Sequence, residues 1–307
     1  MSKVNNKARW RRWLDGIDRL AVVFPDPRYY QMAVLTALVL CGILLLDFPV
    51  QLHSALLILC AAQATQLAGS LYLGQRFDPK SAMITALSLT LLLRSSDPLW
   101  LGLAAIIAIS SKFLLRINGK HIFNPANGAI VALMLLSNEV WVSTGQWGNT
   151  AIAAFALACC GFLVLTRARR AETTLAFLAA YSALLIGRAL WLGDPLTIPF
   201  HQLQNGALLI FAFFMISDPK TAPDAAIGRI LYGCIVAAAG FTIQFTLYKP
   251  YGPLLALFCC APLVPLIDFI LRGAHYQWSA TIRKPISKEL PHENSDTAVR
   301  SGHHFYT

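Results

Sequence analysis

The chain has 307 residues, 56% of them hydrophobic and only 13% charged, yet it carries a net charge of +10 from 25 Lys+Arg against 15 Asp+Glu. Roughly 25% charged residues is ordinary for a soluble domain, so a chain this apolar and this basic excludes a disordered protein, a nucleic-acid-binding protein and a secreted disulfide scaffold. It fits a polytopic membrane protein whose basic residues gather on one side of the lipid bilayer.

Residues 1–30 read as a cytoplasmic amphipathic segment. Trp10, Trp13, Leu14, Ile17, Leu20 and Ala21 fall near i, i+3, i+4, i+7 spacing with Arg between them, which predicts an interfacial helix over 8–24. Such a helix anchors to the surface or docks on a partner protein. Pro25-Asp26-Pro27 ends it. A spanning helix needs about 20 mostly apolar residues. Ten candidate stretches follow, at 31–47, 54–74, 81–96, 98–115, 123–140, 150–166, 173–192, 203–217, 228–247 and 252–271. The first reads as a retained span rather than a signal peptide. The third and eighth are short and end in Asp97-Pro98 and Asp218-Pro219, the mark of a tilted or broken helix. The predicted fold is therefore all-α, a ten-helix transmembrane domain over 31–272. A polar, flexible cytoplasmic tail, 273–307, follows and includes His303-His304.

Ten spans put both termini on one side. Alternating the loops then places 22 basic residues on the terminal side and only Arg94, Arg188 and Lys249 on the other. That split predicts cytoplasmic termini and supports the ten-span count.

The short spans also rhyme. Leu87 to Pro98 and Leu208 to Pro219 are both apolar runs closed by Ser-Asp-Pro, five spans apart. Phe123-Asn124-Pro125 opens span five, and Pro250-Tyr251-Gly252-Pro253 opens span ten. A five-span repeat must be inverted, with repeat one about 31–140 and repeat two about 150–271. Inverted repeats place a site between the halves, built from broken helices. A second match cuts across this one: Asp78-Pro79-Lys80-Ser81-Ala82 resembles Asp218-Pro219-Lys220-Thr221-Ala222.

Candidate chemistry is sparse. Seven Cys lie in apolar stretches without a Cys-x-x-Cys pair, which argues against zinc; Cys159-Cys160 and Cys259-Cys260 read as packing residues rather than cluster ligands. No His lies near the middle of a span, so no haem is expected. Phosphate-loop, dinucleotide and zinc-protease motifs are missing from the sequence, and no metal site is assigned. Ionisable residues in or at the ends of spans remain. Lys112 either snorkels to the interface or serves a site. Arg188 lies in span seven. Asp268 and Arg272 have the i, i+4 spacing of a helical ion pair. Asp218, with Lys220 and Thr221 beside a helix-breaking proline, either caps the next span or holds a phosphate or polar ring edge. No catalytic residue is assigned.

These residues carry a family likeness. Phe123-Asn124-Pro125-Ala126 resembles the Phe-Asn-Pro-Ala motif of the RnfD/NqrB family, which comprises the RnfD component of the Rnf electron-transport complex and the NqrB component of the Na+-translocating NADH:quinone oxidoreductase. Ala212 to Pro223 resembles its Ala-Phe-Phe-x-Ala-Thr-Asp-Pro-Val-Thr-Ala motif. Gly228-Arg229-Ile-Leu-Tyr232-Gly233, Ser81 to Thr85 and Pro265-Leu266-Ile267-Asp268 follow the family in the right order over about 78–271. The resemblance implies a ten-helix membrane component that carries flavin and passes electrons across or along the bilayer, on a fold similar to urea transporters. It further implies partner proteins that supply electrons, since nothing here resembles an NADH site. In the family, FMN is esterified to the last Thr of a Ser/Thr-Gly-Ala-Thr motif. Here the loop reads Ser143-Thr144-Gly145-Gln146-Trp147, and Trp147 at the acceptor position cannot form that ester. The expected cofactor is a non-covalent flavin, FMN or riboflavin, between the halves, near Lys112, Asn124, Asn127, Asp218, Lys220 and Thr221. Trp141 and Trp147 stack on it or belong to the interfacial aromatic belt. Two other readings stay open: a channel or carrier for a small polar solute, and a non-catalytic scaffold for a flavoprotein.

Overall fold

A single two-residue device opens most helices of the first half. The helices are α1 (Pro27–Leu45), α2 (Leu52–Tyr72), α3 (Pro79–Leu92), α4 (Pro98–Leu114) and α5 (Pro125–Leu136), and all but α2 begin with proline after Asp or Asn. Proline at the first helical position loses an N–H that has no intrahelical partner anyway, and the preceding carboxylate or amide caps a freed N–H. Asp26 accepts from the backbone N–H of Arg28 (3.0 Å), Asp97 from that of Leu99 (2.9 Å) and Asn124 from that of Asn127 (3.1 Å). Asp97-Pro98 thus opens span four rather than closing span three. The computed structural model describes residues 26–143, 160–161 and 171–276. The predicted helix over 8–24, most of the sixth span, Trp147 and nearly all of the tail lie outside the described residues.

The stretch expected as the third span is broken. After α3 the chain turns extended as β1 (Leu93–Ser95), which pairs antiparallel with β4 (Val140–Val142), Leu93 opposite Val142 and Ser95 opposite Val140. This pairing satisfies backbone groups that a buried irregular segment could not leave free. Arg94 is buried and donates to the carbonyls of Thr90 (2.8 Å) and Leu93 (2.6 Å), closing the end of α3. Between α4 and α5, β2 (Arg116–Ile117) and β3 (Lys120–His121) form a hairpin. Its turn residues Asn118 and Gly119 both have positive φ, 51° and 77°, as a tight two-residue hairpin requires.

The second half holds α6 (Ala171–Leu192), α7 (Thr197–Leu203), α8 (Gly206–Ile210), α9 (Ala226–Thr246), α10 (Gly252–Cys260) and α11 (Leu263–Ile270). The stretch expected as a short eighth span is α8 continued by one π-helical turn, Phe211–Met215, a conformation concentrated at functional sites. The stretch expected as the tenth span is also interrupted: α10 and α11 are bent by 54°, with Pro262 at the break withholding an N–H.

Helix α9 packs on α6 and α10, and α2 on α3 and α4. Close approach depends on glycine. A Cβ on Gly233 would lie 2.7 Å from the Thr173 carbonyl oxygen and 3.0 Å from the Phe177 nitrogen. Small residues at helix crossings are the usual solution where lipid offers no hydrophobic drive. Leu89, Ile109, Ile130, Phe177, Phe211 and Tyr232 are fully buried in one core. By length and composition, the helices over Pro27–Leu44, Leu52–Tyr72, Ala171–Leu192 and Ala226–Thr246 can cross a membrane, with α10–α11 a fifth if the bent pair is one span. The chain is a mostly helical, multi-pass membrane protein.

Candidate functional site

The starts of α1, α3 and α5, the end of α4 and the turn after the π segment meet at one face, around a cavity of about 420 Å³. Lys112, Asn124, Asp218 and Lys220 all line it, drawn from both halves of the chain. Small-molecule and cofactor sites typically measure roughly 300–1,000 Å³.

Lys112 does not snorkel. It is 4% exposed, and its ammonium donates to the carbonyl oxygen (2.9 Å) and hydroxyl (3.1 Å) of Ser81 in the first turn of α3. An ammonium carries three N–H groups, so one remains beyond these two bonds. Asn124 caps α5 and donates through Nδ2 to Asp218 Oδ2 (3.3 Å) and to the Met215 carbonyl (3.4 Å). Asp218 accepts from the Lys220 backbone N–H through Oδ1 (3.0 Å), which folds the turn after the π segment. It therefore orders its own turn and binds Asn124, while α9 begins only at Ala226. Lys220 reaches the carbonyl of Tyr276 (3.1 Å).

The other two predicted residues stand behind the wall. Asn127 is 1% exposed and donates to the Leu254 carbonyl (3.1 Å), tying α5 to α10. Thr221 is buried and donates to the Asp218 carbonyl (3.3 Å).

Several cavity residues escaped sequence reasoning. The sequence match between Asp78-Pro79-Lys80-Ser81 and Asp218-Pro219-Lys220-Thr221 was the available signal, since Asp78, Ser81, Asp218 and Lys220 all face one cavity. Arg28 binds Asp78 and Asp26, and Lys80 binds Asp26 at 2.7 Å, so α1 is pinned to α3 at the rim. Phe113, Phe213 and Phe214 supply aromatic surface. Two buried polar atoms on the wall, Gln66 Oε1 and His121 Nδ1, have no partner among the described residues. Burial, together with the charges of Lys112, Arg116 and Lys220, pushes the His121 imidazole down to about 3, so it is neutral at physiological pH.

A neighbouring cluster corrects one expectation. Asp268 pairs with Lys120 (2.7 Å), not with Arg272 one turn away, and it also accepts from the Asp224 backbone N–H (2.7 Å). Lys120 also reaches Asp224 (3.2 Å) and the Ala222 carbonyl (2.7 Å), and Arg229 binds Glu172 (3.1 Å). Those bonds hold the turn after Asp218 against α6 and α11. On the far side, Arg188 pairs with Asp194 (3.4 Å) and lies 4.4 Å over the Phe245 ring.

Comparison with known proteins meets this geometry. Residues 134–277 match the model of the NQR2, RnfD, RnfE family. The D component of the ion-translocating oxidoreductase complex of Erwinia tasmaniensis is 34% identical over 117 residues, 38% of this chain and 33% of that protein. The components of the same name from Vibrio vulnificus and Escherichia coli are 30% and 32% identical over 133 residues, 43% of this chain and 36% of each relative. The alignments thus span about a third of the relatives' own length. Over residues 134–277 the chain is thus similar to the NQR2, RnfD, RnfE family, in line with the RnfD/NqrB likeness that its motifs carry.

Proposed function

We propose that the chain is an integral membrane subunit of a flavin-dependent electron-transport system, and that the 420 Å³ cavity holds the flavin without a covalent bond. The observation that carries this reading is the convergence of Lys112, Asn124, Asp218 and Lys220 with Phe213, Phe214 and two unpartnered polar atoms on one cavity. The donor set fits a flavin. An isoalloxazine ring is planar and apolar on its faces and has hydrogen-bonding groups along one edge; when bound, it supplies the capacity to accept and release electrons. The residues do the rest. Phe213 and Phe214 exclude water and flank a ring. Lys112 holds a positive charge where a reduced ring gathers negative charge, a standard way for a protein to tune a cofactor. Asn124, locked between Asp218 and the α5 N-terminus, fixes the wall in place. Lys220 and Arg116 at the rim suit a phosphate.

The helix contacts support the inverted five-plus-five repeat. Helices α2 and α4 pack together in the first half as α6 and α9 do in the second, and the half-helices α5 and α10 meet between the halves. On that reading the cavity opens on the basic, cytoplasmic side of the inner membrane, where a soluble or membrane partner delivers electrons. The relatives' name, which places them in an ion-translocating oxidoreductase complex, supports such partners.

The test is cofactor analysis of the protein purified in detergent, alone and with co-expressed partners. Flavin absorbance near 450 nm, with FMN or riboflavin released intact on denaturation, is the expected result. Wild-type protein that neither retains nor rebinds any flavin refutes the reading. Trp147 at the acceptor position keeps one rival, a carrier for a small polar solute on the same fold. Uptake into liposomes by the flavin-free protein would establish that rival.

A further inference from the structure

Gln66 is a polar residue in the middle of an apolar helix. On α2 it is 7% exposed, and the same helix face buries Ala62 and Ser70. Its Nε2 donates to Ser70 Oγ (3.4 Å) one turn on, and that bond turns Oε1 away. Oε1 has no hydrogen-bond partner among the described residues, and Gln66 lines the main cavity. The hydroxyls on the cavity side of α3 do not serve it. Thr85 donates to the Ser81 carbonyl (3.0 Å) and Ser88 to that of Ile84 (2.9 Å), each turned back on its own helix. Ser81 Oγ accepts from Lys112 and makes no bond to Gln66 Oε1 among the described residues. A buried acceptor without a donor is costly, and native proteins rarely leave one so. The missing donor is best supplied by whatever fills the cavity.

We propose that Gln66 reads the ligand of this cavity, its Oε1 accepting a hydrogen bond from a ring N–H. The ligand class is a planar heterocycle with an imide edge, an N–H flanked by two carbonyls. The N–H faces Gln66, and the free N–H of Lys112 is a donor available to a ring carbonyl. This rests on the flavin reading above, since the flavin N3–H between two carbonyls is such an edge. It adds that the site discriminates at that one atom. A hydrogen-bonding site rejects an analogue lacking the partner far more strongly than an apolar pocket rejects an extra methyl.

The experiment titrates the full-length, flavin-free protein in detergent with riboflavin, FMN and their N3-methyl derivatives, following quenching of flavin fluorescence. Wild type is expected to bind the N3-methyl compounds roughly five- to tenfold more weakly than the parents, the loss of one hydrogen bond. Gln66→Met is expected to bind parent and N3-methyl compounds alike, both at the weaker level. Gln66→Glu, which keeps an acceptor oxygen and the side-chain length, is expected to retain the preference; it serves if the Met variant fails to fold. Equal wild-type affinity for parent and N3-methyl flavin overturns the proposal while leaving flavin binding intact, as does a preference that survives in Gln66→Met. Wild type that binds no flavin of either kind overturns the underlying reading and this one with it.

Discussion

Lys112→Met separates a functional cation from a structural one. The ammonium is 4% exposed and, among the described residues, donates to Ser81, which leaves one N–H for a ligand. Removing it leaves no stranded acceptor, because the Ser81 carbonyl keeps the Thr85 hydroxyl (3.0 Å). Methionine fills nearly the same volume, and a buried charge with no ion-pair partner carries a desolvation cost that an apolar side chain does not. The flavin-free variant should therefore unfold within about 1 kcal/mol of wild type, or above it. The ligand, however, loses one charge-assisted hydrogen bond, about 1.5–3 kcal/mol, which is roughly 10- to 150-fold in Kd. Thermal unfolding in detergent reads the first quantity and flavin titration the second. A variant that loses several degrees of Tm while binding flavin as tightly as wild type would show that Lys112 is a strut between α4 and α3. The cavity assignment would then fail.

Three further outcomes follow from the geometry. Asn127→Leu removes the bond from α5 to the Leu254 carbonyl on α10 and should cost about 1–3 kcal/mol, seen as a lower Tm with flavin discrimination at Gln66 unchanged. Asp268→Ala strips the buried Lys120 of its 2.7 Å partner and leaves Asp224 at 3.2 Å; it should destabilise by up to about 3–5 kcal/mol, and Lys120→Met in the same chain should restore much of the loss. Asp26 gives a pH signature. Burial pushes its carboxyl up, but hydrogen bonds from Arg28 and Lys80 outweigh burial and hold it below the usual 3.8. Its stabilisation is present above that value and fades as pH falls through the lower folded-state value. Wild-type and Asp26→Asn unfolding curves should differ near neutral pH, begin to converge as pH falls past about 3.8 and meet below the lower folded-state value.

Much of this was legible because it is local. Proline after Asp or Asn marks a helix start through one side-chain bond and one missing N–H, and Asp26, Asp97 and Asn124 behave so. The same dipeptide misled at Asp97, where its apolar prefix made it read as a stop. Span three was expected as helix to residue 96, but Leu93–Ser95 is a strand. A three-residue apolar segment has no period to read, and its partner Val140–Val142 lies more than forty residues away. Asp268 failed for the same reason. Its helical neighbour Arg272 was visible in sequence, whereas its true partner Lys120 is 148 positions distant. Gln66 carries no formal charge, the signal that marks a residue inside a span for function, although a buried neutral amide makes the same demand for a partner.

The basic residues themselves change meaning between sequence and structure. Counted along the chain, Arg28, Arg76, Lys112, Arg116 and Lys220 belong to the 22 that the ten-span reading places on one side of the bilayer. In the fold all five line one cavity, faced by the carboxylates of Asp78 and Asp218. Orientation alone asks only that a cation stay near the interface; it does not ask that Lys112 be buried on Ser81, nor that two matching Asp-Pro-Lys turns from different halves meet there. Those features specify a place rather than a side. The two demands are compatible because helix ends from both halves of the chain meet at one cavity, where the caps that terminate helices and the charges beside them become the wall of a site.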